Sequence, residues 1–242
     1  MFVQATMVPV VRVEPNHTKI LGENLKLFAN VEAVGWLSFI RRFADSNPEV
    51  TRLFALSLSD SWVKVADLQF RVDERSVALA IGLSLTGERW FKYKHMDVTE
   101  WRQMMKNPCQ DVSFRTGVAR KYFKKEWRPV LDLIHRYVTC EGCLSSAYVY
   151  HLRLMAVFIG FSLNLPHYLV QSLSKMSAAI KKGPKNISHS LFHHGLVRML
   201  IEKELSKLDR SWDEFIESNG FSAFCLYQFD CLEEFLRHQE SG

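Results

Sequence analysis

The apolar positions of this chain recur mostly at helical spacing, with one interruption at a spacing of two. Between about Val31 and Ala44, Val34, Leu37, Ile40 and Phe43 mark one face of a first helix, which Ser46-Asn47-Pro48 ends. Pro48 suits the first turn of a second helix carrying Val50, Leu53, Phe54 and Leu58, ending near Ser59. From Trp62 to Val72 the period changes, because Trp62, Val63, Val65, Leu68, Phe70 and Val72 nearly alternate with polar residues. A short β-hairpin is expected there. Asp73 can cap a helix from Glu74 to Ile81, closed by Gly82. Asp97 and Glu100 have capping-box spacing ahead of a short helix at Trp101–Met105.

The most apolar part of the chain, Trp127–Phe161, reads as two helices joined by a turn at Cys140-Glu141-Gly142-Cys143, and is expected to be the centre of the core. Pro129 is placed at the first position of its first arm, and the second arm runs from Leu144 to Ile159 with Gly160 beyond it. Further helices follow from Pro166 to Ala179, from a Ser188 cap to about Leu208, from Trp212 to Ser218 behind a Ser211/Glu214 capping box, and from Phe221 to His238. Successive helices with short connections predict a mainly α, single multi-helix domain with one short β-hairpin near 62–72. Residues 1–20 form an extended N-terminal arm, 21–208 the helical domain, and 209–242 an acidic, aromatic C-terminal helical segment packed on or near it.

With 242 residues, 48% of them hydrophobic, the chain can bury a sizeable core without staples. Its five cysteines are an odd number spread unevenly, so reduced thiols in the nucleus or cytoplasm are expected. The opening MFVQATMVPVVRV has no basic leader and no small-residue cleavage site, and no apolar run reaches the roughly 18–20 residues of a membrane span. No membrane partner is expected.

Charge changes the picture more than composition does. The net charge is +5, and Arg115–Arg128 alone carries six basic residues against Glu126. From Ser211 onward seven acidic residues oppose Arg237. In the basic stretch, Arg115, Arg120, Lys121, Tyr122, Lys124, Lys125, Trp127 and Arg128 interleave cations with aromatic rings. That composition suits phosphate contact with stacking on unpaired bases, and it also suits an acidic protein surface.

Catalytic patterns are absent. There is no G-x-S-x-G elbow, no P-loop and no G-x-G-x-x-G. Cys140 and Cys143 have the spacing of half a zinc site, with His135 and His151 nearest in sequence, but a pair of thiols packed in an interhelical turn explains them as well. His189 and His193 are four apart beside His194, and the glutamate of a zinc-protease helix is missing between them. No metal and no cofactor are expected, with Cys140 and Cys143 the weaker alternative. A ligand pocket would draw on Trp90, Tyr148, His151, Arg153, His189, His193 and His194.

Several blocks occur together in one order: FALSLSDSWVKVADLQFRVDERSVALAIGLSLTGERWF (Phe54–Phe91), RYVTCEG (Arg136–Gly142), YHLRLM (Tyr150–Met155), NLPHYLVQSLSKM (Asn164–Met176) and SLFHHGLVRML (Ser190–Leu200). This order resembles plant proteins grouped as transposon- or retrotransposon-associated domains, over about Val31 to Leu205. The resemblance implies a helix-rich plant protein derived from a mobile element, and it brings no catalytic residues with it. The expected function is therefore a non-enzymatic interaction module that binds nucleic acid or a protein through the basic aromatic segment. The alternatives are an enzyme or small-ligand binder with a His/Tyr/Trp pocket in the helical core, and a self-assembling capsid-like protein.

Overall fold

In a computed structural model, which describes residues 35–42, 46–89, 103–106, 117–140, 145–182 and 193–221, these periods become eight helices and two small antiparallel sheets among the described residues. The protein is mainly helical with a short hairpin. Helix α1 (Trp36–Arg41) lies inside the first predicted helix, and Trp36 meets Phe158 edge-on with ring centroids 5.0 Å apart. Helix α2 (Pro48–Ser57) begins where its proline predicts, because the Asn47 side chain accepts the otherwise unpartnered N–H groups of Glu49 and Val50.

Strands β1 (Trp62–Val65) and β2 (Leu68–Arg71) pair antiparallel, with Trp62 opposite Arg71 and Val65 opposite Leu68. Val63, Val65, Leu68 and Phe70 face the core while Trp62, Lys64, Gln69 and Arg71 face out, as a period of two requires. Helix α3 (Glu74–Ile81) follows, with Asp73 and Ser76 capping one another and Gly82 closing it in the left-handed region.

Helix α6 (Leu165–Lys181) is the longest described, capped by Asn164. It packs along α2 and α3, and α7 (His194–Ser206) packs on the same two helices. Ser177 ties α6 to α2 by donating to the Ala55 carbonyl at 2.6 Å. Helix α8 (Trp212–Ser218) has the predicted Ser211/Glu214 capping box and inserts Phe215 into the core. Arg210 pairs with Asp67 in the hairpin turn, and Asn219 donates to the same carboxylate at 3.2 Å. Both contacts hold the Asp67 carboxyl below its usual range.

The hairpin region at Trp127–Phe161 differs from its sequence expectation. Helix α4 starts at Trp127, which makes Pro129 its third residue, still within the first turn where an N–H has no helical acceptor. It continues as a π-helical turn, Ile134–Thr139. Residues 145–147, expected inside the second helix, are not helical. Instead β4 (Ser146–Ala147) pairs with β3 (Val118–Ala119), and helix α5 runs from Val149 to Ala156, followed by a 3₁₀ turn to Ile159. A two-residue ladder with a partner almost thirty positions away leaves no period to read. The described α7 begins at His194; the Ser188 cap, the Asp97/Glu100 box, the extended arm at 1–20 and the chain after Phe221 lie outside the described residues.

The loop after α3 is held against the start of α6. Glu88 donates to Ser162 and accepts from Asn164, at 2.9 and 3.0 Å, and Asn164 donates to Leu85 at 3.0 Å. Gly87 makes this approach feasible, since its φ is +105° and a Cβ there would lie 2.6 Å from the Leu163 carbonyl carbon. Gly87→Ala is expected to cost about 1–3 kcal/mol, read as a lower urea midpoint at unchanged slope.

Candidate functional site

The basic stretch is built around an internal brace. Arg120 makes a two-pronged pair with Asp132 of α4, Nε to Oδ1 at 2.9 Å and Nη2 to Oδ2 at 2.7 Å. This pairing raises the guanidinium above its already high ordinary value. Arg128 turns back on the chain, donating to the carbonyls of Phe123 at 3.3 Å and Lys121 at 3.1 Å. Phe123 is fully buried and Trp127 is 6% exposed. Three of the residues that sequence alone read together as cations and stacking rings, Arg120, Trp127 and Arg128, are therefore fastening the segment to the core alongside Phe123, and Trp127 is not open to a base.

What remains outward is narrower. Lys121 and Lys125 are exposed, Lys124 is half-buried, and Tyr122 is 44% exposed with the Lys121 ammonium 5.3 Å from its ring centroid. A second segment joins them: Lys106 N–H donates to the Tyr122 carbonyl at 3.0 Å, and Lys124 N–H donates to Met104 at 2.9 Å. The exposed Lys106 thus belongs to the same edge. No short-range pattern marks it, because the contact is a bridge between Met105 and Phe123. Arg115 lies outside the described residues.

The histidines occupy a different place, inside the core. His151 is fully buried; its Nδ1 accepts the Tyr148 N–H at 2.9 Å, which leaves Nε2–H directed at Thr139 Oγ1, 3.4 Å away. Its ring lies between those of His135 and Tyr150, at centroid distances of 4.1 and 4.0 Å. His194 joins α7 to α2 through Thr51, Nδ1 to Oγ1 at 3.1 Å; Thr51 gives its own proton to the Asn47 carbonyl. These two imidazoles have structural work. Arg153, on α5, is half-buried and Tyr148 is 37% exposed.

His193 is different. Its Nε2 meets Ser172 Oγ at 2.7 Å and its Nδ1 meets Cys140 Sγ at 3.5 Å, with all three residues buried. Cys140 and His193 both adopt the left-handed region, φ 52° and 63°. A non-glycine residue there costs about 1–2 kcal/mol, so the fold holds two strained positions side by side. Trp90, Cys143 and His189 lie outside the described residues.

Two clefts of about 250 Å³ open among the described residues. One lies between Leu58–Ser61 and Val170–Lys181, the other between Trp36, Leu83–Thr86 and Phe161–Pro166, and neither is lined by the histidines. No described helix is long and apolar enough to cross a membrane. Comparison with family models, with curated proteins and with solved structures finds no match.

Proposed function

We propose that the chain is a non-enzymatic interaction module of mobile-element origin that engages single-stranded nucleic acid through the edge carrying Lys106, Lys121, Tyr122, Lys124 and Lys125. The observation that carries this reading is the brace: Arg120–Asp132, Arg128 and Phe123 anchor the segment from behind. Lysines on an anchored segment lose less conformational freedom on binding than lysines on a loose loop. Tyr122 adds an exposed ring on which a base can stack. The packing of His151 and His194 into the core speaks against a ligand pocket built on them, and neither cleft among the described residues is lined by a histidine.

The test is a titration of a fluorescently labelled single-stranded DNA with the full chain across a range of salt concentrations. Affinity is expected to fall linearly on a log–log plot with a slope of about 2–3, from ~0.7 per phosphate contact and three or four lysines. Absence of binding at low salt, or binding indifferent to salt, removes the proposal. An acidic peptide that binds as tightly as the DNA points to a protein surface as the partner instead.

A further inference from the structure

We propose that the Tyr148 ring is a second base-stacking platform, and that a single strand bound at the lysine edge runs on to it across the outer face of the β3–β4 ladder. The proposal rests on the lysine edge being a nucleic-acid site. It adds the path of the strand, and it names a contact to a base where the lysines make contacts to phosphates.

The ladder joins the two places. Arg120 N–H donates to the Ser145 carbonyl at 2.8 Å, so the strand pairing runs directly into the 3₁₀ turn that carries Lys121 and Tyr122. At the other end Gly117 and Tyr148 stand one place beyond the Val118–Ala147 pair. At about 3.3 Å per strand residue and about 2.0 Å per residue of 3₁₀ turn, Gly117 and Tyr122 lie roughly 14 Å apart. That separation falls within the reach of the roughly 4–16 nucleotides that single-strand sites cover.

Alternation decides which face is open. Val118 and Ala147 are buried, so Gly117, Ala119, Ser146 and Tyr148 share the outward face. The first three are small, and only the tyrosine stands above the backbone. Its ring takes the space a side chain at position 117 would need, since a Cβ on Gly117 would lie 3.2 Å from Tyr148 Cε1. It also stacks on Tyr150, with centroids 5.9 Å apart and planes only 6° apart. His151 Nδ1 holds the Tyr148 N–H at 2.9 Å. A ring fixed in this way and still 37% exposed gives a base a surface that costs little ordering to use.

The experiment titrates a labelled oligothymidine of about 12 nucleotides with the full chain and with Tyr148→Ala. The substitution should weaken binding about 5- to 150-fold, the worth of one stacked base, and leave the salt slope unchanged because no phosphate contact is lost. Tyr148→Phe, which keeps the ring, should bind like the native chain. On an abasic strand of the same length the native chain and Tyr148→Ala should bind alike, because only backbone contacts remain. Circular dichroism checks that each variant is folded. Should Tyr148→Ala fail to fold, Ser146→Glu decides in its place: it sets a carboxylate on the path without removing the ring, and should weaken binding several-fold. A folded Tyr148→Ala or Ser146→Glu protein that binds as tightly as the native chain overturns the platform. The lysine edge then still stands if replacing Lys121, Lys124 and Lys125 by Glu releases the DNA. A native chain that binds no single strand overturns both.

Discussion

Phe123→Ala is expected to remove about 3–5 kcal/mol of stability, the cost of emptying a fully buried aromatic site. Phe123 has no exposed surface and lies between two pairs of lysine-segment residues, Lys121-Tyr122 and Lys124-Lys125. Its backbone closes the 3₁₀ turn onto Arg120 at 3.2 Å and bridges to Met105. Against a total stability of about 5–15 kcal/mol this loss is a large share. It should appear as a lower urea midpoint at unchanged slope. Phe123→Leu, which keeps most of the volume, should recover most of the loss. A loss under about 1 kcal/mol for the alanine variant would place the ring outside a packed site. Any folded fraction of the alanine variant should also bind DNA more weakly, although no charge has changed.

The second large effect is on binding. Reversing Lys121, Lys124 and Lys125 together to Glu is expected to weaken single-stranded DNA binding by more than ~tenfold and to flatten its salt dependence, because the phosphate contacts that release counterions are gone. Stability should move little, since substitutions at the exposed Lys121 and Lys125 usually stay within about 0.5 kcal/mol each, and the half-buried Lys124 should supply most of any loss. Arg120→Glu should act first on stability. It places a carboxylate against Asp132 and breaks the brace, so its main readout is stability. The two variants therefore separate cations that meet a partner from a cation that holds the segment in place. A triple-Glu protein binding DNA as tightly as the native chain would remove the lysine edge as the site. Circular dichroism on both variants checks that the comparison is between folded proteins.

The elements legible from sequence are those whose cause is local. Asn47-Pro48, Asp73 with Gly82, and Ser211 with Glu214 satisfy helix-end groups within a few residues, and each stands where its spacing predicts. The β1–β2 hairpin is equally local, since alternation sorts Val63, Val65, Leu68 and Phe70 to one face. Residues 145–147 show the limit: Ser146–Ala147 is a strand because Val118–Ala119 lies beside it, and nothing in its own neighbours says so.

The same division runs through the candidate sites. By itself the sequence determined that positive charge and aromatic rings concentrate at Arg115–Arg128 and that thiols and imidazoles recur at metal-like spacings. It could not sort those residues. Only the tertiary structure turned Arg120 onto Asp132, Trp127 into the core and Lys106 toward Tyr122. Only it set Cys140 beside His193, far along the chain from it. The physical reason is that residue type and spacing fix what a side chain can bind, while burial and long-range packing choose which partner it meets.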